Sequence, residues 1–336
     1  MKFGVLQFFS WPGKRVSLPT VYERAFQRID VMEQTGYDAV WLAEHHFSTY
    51  SVCPSIHMMG THIAARTERL RIGTAISLAP FYHPLRLAEE VALLDVLSGG
   101  RVNWGAGRGF DETEYRSFGV EREDSYALFR ENVEIVRQAW TSERLTYHGK
   151  YHDYEDVEVL PKPIQQPHPP IWLASTSPEA IRWSAEHGYT ILMDPHASHA
   201  DIAIKRSLYE TELIKAGHSM QGRMIPMARN IALGRSQSEA EDVARRGAQF
   251  MFGSYLPPGV GAAKPSKSIS ADAKTATQRD TVERYVKEVV ICGTPEKVID
   301  DLQELEERLP LEYLMCTPLS HQSFELFTEK VMPRFL

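Results

Sequence analysis

Cysteine is scarce. Three residues, Cys53, Cys292 and Cys316, lie far apart in a chain of 336. With no CxxC pair among them they argue against a zinc knuckle or a disulfide framework, and they suit a reducing compartment. Long apolar runs are missing as well. No stretch approaches the roughly 18 apolar residues that a membrane-spanning helix needs. The opening MKFGVLQFFS has no extended apolar core and no small-residue cleavage site, so it reads as a first strand and not as a signal peptide. A cytoplasmic location is expected. Charge of one sign is also lacking: 37 Lys and Arg are interspersed with 44 Asp and Glu, for a net −7. That leaves no basic patch for nucleic acid or an anionic membrane. The remainder is an ordinary globular composition, 43% hydrophobic and 24% charged, long enough to build a core without staples.

What is present is alternation. Apolar runs at 2–8, 37–44, 70–79, 101–107, 171–175, 190–193, 224–233 and 311–316 read as strands. Helical spacing follows at 19–34, 55–65, 84–97, 125–140, 178–186, 199–216, 238–252 and 320–335, with a further helix at 293–309. The strand runs are continuously apolar, as in a parallel sheet buried on both faces. Eight strands, each followed by a helix, predict an α/β fold, a (β/α)8 TIM barrel with insertions, formed by residues 1–336 as a single domain. A doubly wound open sheet is the competing architecture. Residues 144–170 read as an inserted hairpin and proline-rich stretch, and 255–280 as a mobile lid loop.

Chemistry concentrates at strand ends. WLAEHHFS places Glu44, His45 and His46 together after the second strand. Adjacent side chains there point to opposite sides, so the two imidazoles are poorly placed to share one metal ion, and no metal is expected. A catalytic or cofactor-contacting histidine fits the C-terminal rim of a barrel, with a plain hydrogen-bonding role for its neighbour. GAGRGF (105–110) lacks the third glycine of a dinucleotide fingerprint. Arg108 between two glycines suits a phosphate, or equally an ion pair with Asp111 or Glu114. Ser175, Thr176 and Ser177, before Pro178, form a hydroxyl-rich helix start that favours an anion over simple capping.

Taken together, KFGVLQF, GYDAVWLAEHHF, the run from RIGTAISLAP through LLDVLSGGRVNWGAGRGF, STSPEA and GTPEKVIDDL resemble the bacterial luciferase-like flavin-dependent monooxygenase superfamily, in its luciferase alpha-subunit-like branch. The resemblance runs from the first strand to the last helix. It implies a (β/α)8 barrel and reduced FMN as a cosubstrate supplied by a separate flavin reductase. It also implies O2 chemistry through a flavin hydroperoxide on a small organic substrate, an aldehyde or ketone foremost, and a homodimer. By resemblance His45 is the catalytic histidine, Arg108 with Thr176 and its neighbours holds the FMN phosphate, and Ala75-Ile76 lies beside the flavin ring. Glu44, His83, Trp104, Phe110, Glu114 and Met193 are candidates for the substrate pocket. A cysteine found in true luciferases is Gly107 here, which points away from light emission. A deazaflavin-dependent oxidoreductase on the same fold and a flavin-binding accessory subunit are the competing functions.

Overall fold

The computed structural model describes residues 1–193, 195–255 and 278–336. The lid expected at 255–280 falls almost wholly outside the described residues. In chain order the strands are β1 (Lys2–Gln7), β2 (Ala39–Leu42), β3 (Arg71–Thr74), β4 (Ser77–Leu78), β5 (Val102–Gly107), β6 (Leu145–His148), β7 (Asp153–Val157), β8 (Ile171–Ala174), β9 (Thr190–Leu192), β10 (Pro226–Leu233), β11 (Ile291–Gly293) and β12 (Tyr313–Pro318). The chain resolves into two units. The first comprises 1–6, 35–38 and 175–336, the second 7–34 and 39–174.

In the second unit β2, β3, β5 and β8 run parallel in that order, with the short β4 also on β5. Every residue of β2 and β5 is buried, which is why their sequence shows no polar alternation. Trp41 and Trp104 lie fully inside. Trp41 stands opposite Gly73 in the β2–β3 register, and a Cβ on Gly73 would collide with its ring. Trp41 meets Trp172 edge-on at 5.5 Å. The strand expected at 70–79 is divided into β3 and β4, and the Ala75–Ile76 peptide bond between them is cis.

The expected hairpin is present as β6 and β7, antiparallel. It is pinned to the helix Ser125–Thr141 by Glu131, whose carboxylate accepts the N–H groups of Lys150, Tyr151 and His152 at 2.9, 2.9 and 2.8 Å. The proline-rich stretch after it is held in the same way. Buried Asp95, on the helix Pro84–Leu97, accepts the N–H groups of Ile164 and Gln165 at 2.9 and 3.0 Å. Two helix-borne carboxylates thus satisfy backbone donors that an irregular segment would otherwise leave unpaired.

In the first unit the order is β11, β10, β12, β1, all parallel. Phe3 packs on Phe327 and Phe335 at 5.5 and 6.2 Å, and Tyr37 stacks on Phe324 at 5.8 Å. The helix Pro178–Glu186 begins at Ser177, whose hydroxyl accepts the Ala180 N–H. The helix Pro295–Arg308 begins likewise at Thr294. Its predecessors Gln278–Glu288 and β11 were not anticipated. The closing helix is shorter than the 320–335 expected: it runs His321–Leu326, then passes through a π-type turn and a 3-10 turn that contains Pro333. Proline has no N–H to continue the helical ladder. Among the described residues no helix is long and apolar enough to cross a membrane.

Candidate active site

The end of β2 opens into Glu44-His45-His46, and the two imidazoles part company. His46 turns back so that its Nε2 lies 3.0 Å from Glu44 Oε1. The same buried carboxylate accepts the Leu78 N–H at 3.1 Å and the Tyr82 hydroxyl at 2.9 Å. Glu44 is therefore a tie that holds β4 and the following turn against the end of β2. Burial, and then the Glu44 charge, push the Tyr82 hydroxyl well above its ordinary range, so it stays a donor. His45 turns elsewhere. Its ring lies among Phe8, stacked at 6.0 Å, Tyr50, edge-on at 5.0 Å, and Phe110, at 6.2 Å. Its Nδ1 is 3.7 Å from the buried carboxylate of Glu114.

Glu114 belongs to the short helix Glu112–Phe118, which the sequence reading passed over. Its signals were there: Asp111 accepts the Thr113 N–H as N-cap, and Gly119 ends the helix with φ 69°. The Tyr115 hydroxyl, on the same helix, donates to the carbonyls of Arg108 and Gly109 at 2.7 and 3.2 Å.

Arg108 pairs with neither Asp111 nor Glu114. Its Nη1 donates to the Ser125 hydroxyl at 3.1 Å, and its guanidinium lies 4.5 Å over the Tyr126 ring. Arg130 approaches that ring too, at 5.5 Å. Among the described residues Arg108 has no carboxylate partner, so a planar cation with donors to spare is held by neutral groups. That arrangement suits a phosphate. Directly before it, a Cβ on Gly107 would collide with the Ile76 side chain. The space a larger residue would need at 107 is taken by Ile76.

Trp104 is core. Its Nε1 donates to the Ser77 hydroxyl at 3.3 Å, which in turn meets His57 Nε2 at 3.1 Å. His57 Nδ1 lies 3.1 Å from Glu90, and that hydrogen bond, against the opposing effect of burial and with help from Arg86, holds the Glu90 carboxyl down at about 2. None of Ser77, His57 and Glu90 was singled out in the sequence, for their side chains meet only in the fold. His83 is exposed at the start of the helix Pro84–Leu97, with its Nε2 3.3 Å from the Tyr154 hydroxyl of the hairpin.

In the first unit the three consecutive hydroxyls divide. Ser175 is buried against Ser184 at 2.8 Å, Ser177 caps the helix, and Thr176 is exposed. Met193 is buried just after β9.

Residues 1–311 match the model of the luciferase-like monooxygenase family. The chain belongs to that family. Within it, the alkanal monooxygenase alpha chain of Photorhabdus luminescens is 25% identical over 320 residues, covering 90% of this chain and 88% of that one. Among solved structures, the monooxygenase RslO1 of Streptomyces bottropensis superposes with a TM-score of 0.84 at 25% identity, over the whole of both chains. The oxygenating constituent of 3,6-diketocamphane monooxygenase from Pseudomonas putida, solved with FMN, gives 0.80 at 19% identity, over 100% of this chain and 99% of that one. The family fold also serves another cofactor: the F420-dependent tetrahydromethanopterin reductase of Methanopyrus kandleri gives 0.77 at 21% identity, with 100% and 99% coverage.

Proposed function

We propose that the chain is a monooxygenase that takes reduced FMN from a separate flavin reductase and uses O2 to oxidise a small aldehyde or ketone, without light emission. The observation that carries this reading is Arg108, a cation held on neutral partners beside a glycine, as a phosphate-bearing cofactor requires. When bound, the reduced flavin supplies the activation of O2 and the transfer of one oxygen atom. The residues do the rest. Arg108 would hold the phosphate. Phe8, Tyr50 and Phe110 surround His45 with ring carbons that disfavour water. His45 is the proton donor and acceptor of the site, a role open to an imidazole because its ring carries both a donor and an acceptor nitrogen. A (β/α)8 barrel and a homodimer complete the proposal.

The test is an anaerobic titration with photoreduced FMN, followed by mixing with 18O2 and candidate aldehydes and ketones. Tight binding and 18O in the organic product support the reading. Failure to bind FMN, together with binding of a 5-deazaflavin and turnover without O2 uptake, would replace it with a deazaflavin-dependent oxidoreductase. His45→Ala is expected to bind reduced FMN nearly as well as the parent and to form no product. Parent-like yield from that variant removes His45 from the chemistry.

A further inference from the structure

A carboxylate that is 2% exposed needs polar partners in place of water. Glu114 is such a group, and among the described residues its partners are few. Its Oε1 accepts the main-chain N–H of His46 at 2.9 Å. The same oxygen lies 3.7 Å from His45 Nδ1, within ion-pair reach, and both side chains are largely shielded, at 3% and 13% exposure. The other acid nearby is already committed, since Glu44 serves Leu78, Tyr82 and His46. The walls of the His45 ring are the aromatic side chains of Phe8, Tyr50 and Phe110.

The helix that carries Glu114 is fixed at both ends and in the middle. Asp111 caps it, Gly119 ends it in the left-handed conformation, and Tyr115 ties it to the carbonyls on either side of the Arg108–Gly109 bond. Glu114 is therefore presented to His45 by a short rigid element and not by a loose loop.

We propose that Glu114 is the positioning residue of His45: its carboxylate holds the imidazole with the proton on Nδ1 and leaves Nε2 as the nitrogen that exchanges protons with the reacting groups. This rests on the acid/base role proposed for His45. An ionised carboxylate only accepts, so the nitrogen facing it is the protonated one. The second contact, to the His46 N–H, fixes the backbone from which the His45 side chain departs. Orientation and tautomer are then set by one residue, which is the service a buried carboxylate gives a catalytic histidine in acyl-transfer enzymes.

The test uses the full chain, free of flavin, labelled with 15N-histidine and observed by NMR at mildly alkaline pH. The His45 ring signals are assigned by their loss in His45→Gln. In the parent the Nδ1–H tautomer is expected to dominate. Glu114→Gln keeps an oxygen for the His46 N–H but removes the charge, and the Nδ1–H signal should give way to Nε2–H. Glu114→Asp, which retains the charge on a shorter arm, should fall between the two, and it carries the test if the glutamine variant does not fold. In turnover, Glu114→Gln should lose at least about tenfold in kcat with the KM for reduced FMN unchanged. An unchanged tautomer in Glu114→Gln overturns the proposal, and so does an unchanged kcat. If His45→Gln still forms product, the acid/base role of His45 fails, whereas the NMR comparison still reports separately on whether Glu114 orients the ring.

Discussion

At the scale of single residues, charge decides. Arg108 rests on a hydroxyl and an aromatic face, so a bound phosphate would be its first full counter-charge beyond those the described residues offer. Arg108→Ala is expected to weaken reduced-FMN binding by about 1.5–3 kcal/mol, the size of a hydrogen bond to a charged group; anaerobic fluorescence titration measures it. His199, at the start of the helix His199–Lys215, shows the opposite balance. Burial, and then the Arg229 guanidinium, push its imidazole down to about 4 from an ordinary 6.5. The unfolded chain therefore takes up a proton at this site as pH falls below 6.5, while the folded chain declines it until about 4. Its contribution to stability is intact above 6.5, falls away between those values and is gone below them. His199→Gln should flatten that limb of a plot of thermal midpoint against pH. How much of this was readable beforehand depended on distance along the chain. The alternatives for Arg108 were written in its own neighbourhood, and the sequence could not choose between them. The meeting of His45 with Glu114 depends on a short helix rich in charge, with too few apolar residues to show a period, although Asp111 and Gly119 marked its two ends.

At the scale of elements, strands were legible wherever burial on both faces made the sequence continuously apolar, as in β2 and β5. The same uniformity hid the division of β3 from β4 from any reading of period, in which Ala75 and Ile76 look like any other pair in an apolar run; only the resemblance marked that pair. The helix Gln278–Glu288 and β11 were missed for a related reason: QRDTVERYVKE is mostly polar, and the three residues of β11 are too few to show a pattern. Ile76 also links two elements, since it occupies the space in front of Gly107 on β5. Gly107→Ala should therefore destabilise the protein by about 1–3 kcal/mol, the usual cost of overfilling a packed core. Adding Ile76→Ala should recover part of that loss. Denaturant unfolding of the single and double variants gives the coupling, and strictly additive effects would show that the two side chains do not compete.

At the scale of the whole molecule, the alternation of eight apolar runs with helices was the strongest signal, because it repeats and because no single run has to be placed correctly for the pattern to hold. It led to the fold class and, through the resemblance, to the family. Substrate choice left no comparable trace: it depends on which loop side chains come together, and those loops have no period. A bound cofactor should be felt by the molecule as a whole. Reduced FMN at about 100 times its Kd is expected to add about 2.7 kcal/mol of stability, or roughly 3–5 °C in Tm for a chain of this length. Arg108→Ala should gain visibly less at the same flavin concentration, and an anaerobic thermal melt with and without flavin reads both.

The three cysteines have a practical side. Cys53 and Cys316 are buried and Cys292 is half-buried. Burial pushes the Cys53 thiol up to about 12, the Cys292 thiol up to about 11, and the Cys316 thiol well above its ordinary value. Alkylation and peroxide oxidation both need the thiolate, and at neutral pH these side chains are held as thiols. A protein proposed to handle activated oxygen thus keeps its cysteine thiols chemically quiet.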